Sequence, residues 1–77
     1  MPNIGKVAEQ SLLRAGIRTP EELYALGSKK AFLRIRSVEP DACLHKLYGL
    51  EGAVQNVKKS LLPEEKKNEL RHFYNAL

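Results

Sequence analysis

The chain has 77 residues, enough for one domain with one modest core and too few to enclose a large active-site cavity. Its 13 Lys and Arg residues outnumber its 9 Asp and Glu residues, and the formal net charge of +4 favours an anionic partner without requiring one. Its single cysteine excludes an intrachain disulfide, and no stretch resembles a leader or an apolar membrane span, so we expect a cytoplasmic protein with no membrane partner.

The first predicted element is a tight turn followed by a short helix. Pro2 restricts the backbone ahead of the turn, and Gly5 permits backbone angles or a close approach that a side chain would block. Apolar residues then recur at helical spacing from Ile4 to Ala15, with Val7 among them. Gly16 stands where a left-handed helix end favours glycine, so we expect a positive φ there.

A second helix is predicted to begin directly after this stop. Thr19 provides a side-chain cap, Pro20 suits the first helical position, and acidic residues follow in the first turn. Gly27 ends this helix early. The two helices together have the pattern of a helix-hairpin-helix element, which usually presents backbone amides to phosphates.

Two further helices are predicted before the chain reaches residue 57. Ser28 can cap a third helix that runs to about Val38 and turns Val38 inward. Pro40 interrupts the pattern and opens a fourth and longest helix, Pro40–Asn56, which we expect to form the centre of the core. The inward stripe of this fourth helix consists of Cys43, Leu47, Leu50, Val54 and Val57.

Two glycines, Gly49 and Gly52, interrupt the fourth helix, where each costs ~1 kcal/mol of helix stability relative to alanine. The close approach of another helix is the favoured explanation, and a kink or a notch for a ligand is the alternative. A fifth helix begins at Pro63 and buries an edge that ends in Phe73, Tyr74 and Leu77. The sequence therefore predicts an all-α fold, with about five short helices around one core in a single domain over residues 1–77.

No residue pattern points to catalysis, to a cofactor or to a metal. Cys43 lies on the apolar stripe and is predicted to be an inert core thiol, and His45, two residues away, points to the opposite side of the helix. His45 and His72 are expected at the surface, without the ligand spacing of a zinc site. We therefore expect a protein that is not an enzyme and has no cofactor and no metal.

The aromatic and basic residues provide the candidates for nucleic-acid contact. The five aromatic residues lie on or beside apolar stripes, so core packing is favoured over stacking on bases. Lys30 and Arg34 are one helical turn apart and could hold a phosphate together, although a solvated helix face is the commoner explanation.

Almost the whole chain resembles the C-terminal domain of the TfoX (Sxy-type) bacterial competence regulators. The segments that carry the resemblance are 3–6 (NIGK), 15–23 (AGIRTPEEL), 44–53 (LHKLYGLEGA) and 62–67 (LPEEKK). It implies a helix-hairpin-helix-related, SAM-like arrangement, a role in regulating DNA uptake or transcription, and no enzyme activity. Where the usual hairpin reads Gly-Ile-Gly, this chain has Asn3 in the first position, a residue that tolerates left-handed angles.

Two kinds of binding follow as hypotheses from these observations. In the first, the start of the first helix grips the phosphates of duplex DNA without sequence preference. The residues assigned to this nucleic-acid site are Asn3, Ile4, Gly5, Lys6, Val7, Arg18, Lys30 and Arg34. In the second, the domain binds a protein partner or a second copy of itself, with Phe73, Tyr74 and Leu77 as candidates for a homodimer surface.

Overall fold

The computed structural model describes residues 4–77, which form four α-helices and one short 3₁₀-helix and no strand. The elements in chain order are α1 (Lys6–Arg14), α2 (Pro20–Val38), α3 (Leu44–Gln55), the 3₁₀-helix (Lys59–Leu61) and α4 (Glu64–Asn75). The all-α prediction is confirmed, with four helices where the sequence predicts about five.

The difference in helix number arises at Gly27. Here the second and third predicted helices continue into one another as the 19-residue α2, with a kink where Gly27 adopts φ 81° and ψ 164°. Glycine populates this region readily, and its non-helical angles divide α2 into two helical segments on either side of the kink, at the position where the sequence predicts a break. Ser28 does not cap a new helix. Its hydroxyl donates a hydrogen bond to the carboxylate of Glu51 in α3.

Both predicted helix-end signals between α1 and α2 are confirmed. Gly16 has φ 86°, and its N–H and that of Ile17 donate to the carbonyls of Leu13 and Leu12 at 3.1 and 2.9 Å, the paired bonds of a Schellman ending. At the start of α2, the Thr19 hydroxyl accepts a hydrogen bond from the N–H of Glu22 at 3.1 Å. These two local devices fix the angle at which α1 meets α2.

The predicted start of the longest helix at Pro40 is wrong. Residues 39–42 form a turn in which the N–H of Ala42 donates to the carbonyl of Glu39 at 3.0 Å, and α3 begins at Leu44. Ala42 is buried in this turn, whereas Cys43 is exposed at the N-cap of α3. Cys43 is therefore not the core thiol that the stripe predicts, because the helical periodicity does not extend back to it.

α3 lies at the centre of the molecule and packs against α1, α2, α4 and the 3₁₀-helix. Leu47 and Leu50 are fully buried as predicted, whereas Val54 is only half-buried. Val38 is 48% exposed and Val7 is 73% exposed. Both were predicted to face the core, and that prediction is wrong for both. Within residues 4–77, the remaining fully buried apolar side chains are Leu12, Ile17, Leu23, Ala31, Phe32, Ile35 and Leu70.

The predicted buried edge of α4 is formed in part. Phe73 and Tyr74 pack half-buried against the core of their own chain. Lys29 lies 5.5 Å from the centre of the Phe73 ring, and Tyr74 lies 5.9 Å from Phe32, ring centre to ring centre. These contacts bury part of Phe73 and Tyr74 within their own chain, whereas Leu77 is 48% exposed.

A buried carboxylate joins α2 and α3, a feature that the sequence did not indicate. Glu51 in α3 is 8% exposed and accepts hydrogen bonds from the Ser28 hydroxyl and from the Gln55 side-chain amide. Buried polar groups are tolerated when they are hydrogen-bonded in this way. The Ser28–Glu51 hydrogen bond joins α3 to α2 next to the kink at Gly27.

Candidate functional site

The start of α1 is open to solvent, as the nucleic-acid hypothesis requires. Gly5 occupies the N-cap position and no side chain of residues 4–77 caps the helix, while the first intrahelical bond runs from the N–H of Glu9 to the carbonyl of Gly5 at 2.9 Å. The amides of Lys6, Val7 and Ala8 therefore precede the hydrogen-bonded ladder. Lys6 and Val7 are exposed at this end.

The role predicted for Gly5 in this turn is wrong. Gly5 has φ −76° and ψ 163°, angles that any residue adopts, and a Cβ there would meet no described atom within 4 Å. Neither unusual backbone angles nor a close approach explains this glycine. Ile4 is half-buried and packs against the core, so it supports the turn from inside. Asn3 lies outside the described residues.

The other basic residues assigned to the nucleic-acid site lie on different elements. Arg18 is exposed in the connection between α1 and α2, and Lys30 and Arg34 are exposed one turn apart on α2. Within residues 4–77, no hydrogen bond or ion pair joins any of the three to the start of α1. The structure brings Gly5, Lys6 and Val7 together and leaves the other three as separate surface positions.

A groove of about 600 Å³ adjoins the start of α1, and the sequence did not indicate it. It is formed by α1, the beginning of α3 and the segment that leads into the 3₁₀-helix. Its lining is Ile4, Gly5, Val7, Ala8, Cys43, His45, Lys46, Gly49, Lys58 and Lys59. These residues come from three separate parts of the chain, so no single motif contains them.

The groove has an apolar portion and a basic portion. Its lining includes three lysines and one histidine and no acidic residue. Lys46 is already paired, because its Nζ lies 3.1 Å from Glu39 Oε1 and 2.8 Å from Ser11 Oγ. Lys58 and Lys59 are exposed and make no ion pair within residues 4–77. Their charges are the ones open to a bound molecule.

The two glycines of α3 have different surroundings. A Cβ on Gly52 would lie 2.7 Å from the carbonyl oxygen of Val57 and 3.1 Å from the nitrogen of Lys59, so the returning chain requires glycine there. A Cβ on Gly49 would meet no described atom within 4 Å, and Gly49 lines the groove. The predicted close approach is therefore correct for Gly52 and wrong for Gly49, and what approaches Gly52 is the segment 57–59 that leads into the 3₁₀-helix, not a crossing α-helix.

A polar cluster centred on Glu39 holds the walls of the groove in place. Glu39 follows α2 and binds Lys46 of α3 and Arg14 of α1, whose Nη2 lies 3.0 Å from Glu39 Oε2. The Ser11 hydroxyl, the Arg14 guanidinium and the Lys46 ammonium together lower the pKa of Glu39 from 4.5 to about 2. Glu39 is thus ionised at neutral pH and ties α1 to α3.

The described residues show no constellation for metal chemistry and no membrane span. Within residues 4–77, no group of three or more His, Cys, Asp or Glu side chains is placed to hold a metal ion. His45 and His72 are exposed, as predicted, and Cys43 lies beside Lys46 in the lining of the groove. Over the same residues, no helix has the length and apolar character needed to cross a bilayer.

These features define a small all-α domain with an open basic groove beside an uncapped helix start. The family model of the TfoX C-terminal domain matches residues 1–74, and the chain belongs to this family. Two crystal structures of proteins from Listeria monocytogenes are similar to it. No curated protein matches the chain.

The two Listeria structures extend the fold likeness over nearly the whole chain. One, a protein of unknown function in a tetragonal form, is 53% identical with a TM-score of 0.93, and the match covers 99% of this chain and 94% of that chain. The other, an uncharacterized protein in a triclinic form, has the same identity and TM-score and is covered to 86%. Neither description names a ligand or an activity.

Proposed function

We propose that this domain is a non-enzymatic regulatory module that acts by binding, in the regulation of competence or transcription. Membership of the TfoX C-terminal domain family supports the competence-related role. The observation that carries the binding mode is the exposed start of α1, which no side chain within residues 4–77 caps and which has Lys6 in its first turn. The proposed ligand of this helix start is the phosphate backbone of duplex DNA.

The physical basis is the positive end of a helix that has no internal partner for its first amides. The N–H groups of Lys6, Val7 and Ala8 point out of the helix, and the dipole of α1 favours a negative group at this end. The Lys6 ammonium adds a charge that reaches the same phosphate. No side chain reads a base edge in this arrangement, so binding is indifferent to sequence.

The proposed contribution to DNA affinity is smaller for the other three cations, Arg18, Lys30 and Arg34. They are exposed cations on the connection and on α2, so each would attract the phosphate backbone without forming one preorganised site with Lys6. The helix-hairpin-helix identity of the turn depends partly on Asn3, outside the described residues. In this proposal, the specific contact is made at Gly5, Lys6 and Val7.

Fluorescence anisotropy with a labelled mixed-sequence duplex tests the proposal. Lys6→Glu should abolish binding at low salt without lowering the melting temperature, because Lys6 is exposed and packs against nothing in the core. Lys66→Glu is the matched control, since it makes the same charge change on α4. Equal losses from both variants would indicate diffuse attraction to a basic protein, and no binding at low salt would exclude DNA as the ligand.

A protein partner is the second candidate, and the groove is the observation that favours it. An apolar cavity with unpaired cations beside it is the kind of surface to which a peptide segment binds. The homodimer version of this candidate has less support, since Phe73 and Tyr74 pack on their own core and only Leu77, 48% exposed, remains at that end. Sedimentation of the purified chain tests the homodimer directly.

A further inference from the structure

The apolar part of the groove contains a side chain that the fold itself does not use. Val7 is 73% exposed at the start of α1 and lines the groove together with Ala8 and the half-buried Ile4. Burying such apolar surface on binding is favourable. A ligand that covers Val7 with apolar atoms therefore gains binding free energy, because it removes apolar surface from water.

Gly49 provides an independent indication that the groove is kept open. It lies inside α3, where glycine is a poor helix former, and no described atom lies within 4 Å of the position of its missing Cβ. Gly52, three residues along, is required by the Val57 carbonyl, but nothing in residues 4–77 requires Gly49. The empty space above Gly49 belongs to the groove.

The charges at the groove select among apolar ligands. Lys58 and Lys59 are exposed on the segment that closes one side, and no carboxylate lies among the lining residues. Lys46 is 13% exposed and neutralised by Glu39, so the two loop lysines supply the free charge. A ligand with carboxylates flanking an apolar side chain matches both the apolar and the basic portions.

We propose that this groove binds a short acidic segment of a partner protein, with an apolar side chain over Gly49 and Val7 and carboxylates at Lys58 and Lys59. This inference rests on the proposed function as a binding module and identifies the chemistry of its protein partner. Duplex DNA fits the groove less well, because phosphates and sugars would leave Val7, Ala8 and Ile4 without apolar contacts. Extruded bases would find only the imidazole of His45 to stack on among the lining residues.

Selection of a random peptide library displayed on phage, with the full chain as bait, tests the proposal without assuming a partner. The enriched peptides should carry Asp or Glu next to Leu, Ile or Phe, and a labelled synthetic copy should bind in anisotropy. Gly49→Leu should weaken this peptide about tenfold or more by filling the groove. The melting temperature of that variant should not fall, because the Cβ meets open space and leucine favours helix.

Charge variants complete the test. Lys59→Glu should also weaken the peptide about tenfold, whereas Lys66→Glu on α4 should leave its affinity unchanged. If Gly49→Leu unfolds the protein, Gly49→Ala is used, which is expected to weaken binding by a smaller factor in the same direction. Peptides enriched for basic residues, or an affinity that neither groove variant alters, would overturn the proposal.

Two variants distinguish binding of duplex DNA at the α1 start from binding of the peptide in the groove. Gly5 and Val7 belong to both sites, but Lys6 does not line the groove and Gly49 is no part of the α1 start. Lys6→Glu therefore reports on the α1 start, and Gly49→Leu reports on the groove. Loss of duplex binding in Gly49→Leu, together with displacement of the peptide by duplex, would make the groove a nucleic-acid site and overturn the inference. Lys6-dependent duplex binding with no enriched peptide would overturn the inference and leave the proposed function in place.

Discussion

Gly52 lies directly beneath the carbonyl oxygen of Val57, so close that a Cβ at residue 52 would stand 2.7 Å from that oxygen. The contact is reinforced by a hydrogen bond from the N–H of Val57 to the carbonyl of Gly52 at 2.9 Å. Asn56 between them adopts the left-handed conformation, with φ 59° and ψ 40°. Together these residues turn the chain at the end of α3 and bring Lys58 and Lys59 back beside the groove.

The two glycines of α3 should respond in opposite ways to the same substitution. Gly52→Ala should destabilise the fold by about 1–3 kcal/mol, because backbone and not a flexible side chain would have to move. Gly49→Ala should stabilise it by up to ~1 kcal/mol, since the helix gains propensity and no described atom opposes the methyl group. Urea denaturation of both variants checks this prediction. Similar changes in the same direction would show that the segment 57–59 does not lie against α3 as described.

The left-handed ending of α1 should make Gly16 sensitive to side-chain shape. With φ 86° at this position, Gly16→Val should cost about 1–3 kcal/mol, because a β-branched residue is strained there. Gly16→Asn should cost less, since asparagine tolerates positive φ better than most residues. Thermal melts followed by circular dichroism measure both variants. An unchanged melting temperature for Gly16→Val would contradict the assigned helix ending.

Burial along α3 should be reflected in graded losses of stability. Leu47 is fully buried, so Leu47→Ala should cost about 2–5 kcal/mol. Val54 lies only half-buried on the same helix, and Val54→Ala should cost about 1 kcal/mol. Chemical denaturation gives both values under one condition. A loss below about 1 kcal/mol for Leu47→Ala would mean that this face of α3 is not the core.

The parts of the fold that local sequence signals determine could be predicted. Gly16, Thr19 and the stripe through Leu47 and Leu50 act within one or two helical turns, and the structure places all four as expected. Gly27 shows where such signals become ambiguous. Its positive φ breaks the helical geometry as the sequence predicts, but the segments on either side follow one another directly as α2, with a kink between them.

The features that depend on long-range contacts could not be predicted from periodicity. Cys43 has the spacing of a core residue, but the turn at Glu39 and Ala42 removes it from the helix and exposes it. The groove joins α1 to Gly49 and to Lys59, residues separated by most of the chain. The only sequence signal of the groove was a glycine at residue 49, which lowers helix stability. Gly52 lowers it in the same way, but there the glycine is required by the backbone of residues 57–59.

The Glu39 cluster should make stability depend on acid pH in a defined window. The pKa of Glu39 falls from 4.5 to about 2 on folding, so its contribution is fully present above pH 4.5 and is lost as the pH approaches 2. Glu39→Gln should therefore lower the free energy of unfolding by about 1 kcal/mol at neutral pH, a value reduced for partial solvent screening. The difference from the unmodified chain should vanish near pH 2. Urea titrations at several pH values measure it.

The two cations of this cluster should not be equivalent. Lys46 is 13% exposed and Arg14 is 54% exposed, so water screens the Arg14 pair more strongly. Lys46→Gln should thus cost more stability at neutral pH than Arg14→Gln. Because Lys46→Gln also leaves the Glu39 carboxylate with a single cationic partner, its stability should rise less steeply between pH 2 and pH 4.5. A larger loss from Arg14→Gln would contradict the geometry of the cluster.

The salt dependence of duplex binding gives the sharpest test of the α1 start. Few phosphate contacts are available, from the amides of Gly5 to Val7, from Lys6 and from one further cation such as Arg18, which lies beyond the other end of α1. The logarithm of affinity should therefore fall with the logarithm of salt concentration with a slope of about −2 to −4, and affinity should be no tighter than micromolar at physiological salt. Arg18→Gln should reduce the magnitude of the slope by about 1 if Arg18 touches the same duplex, and should leave it unchanged otherwise. Lys66→Glu should leave the slope unchanged, because α4 carries no part of this site. A slope that weakens equally for Lys66→Glu and Arg18→Gln would mean that the duplex responds to the net charge of +4 and not to the helix start.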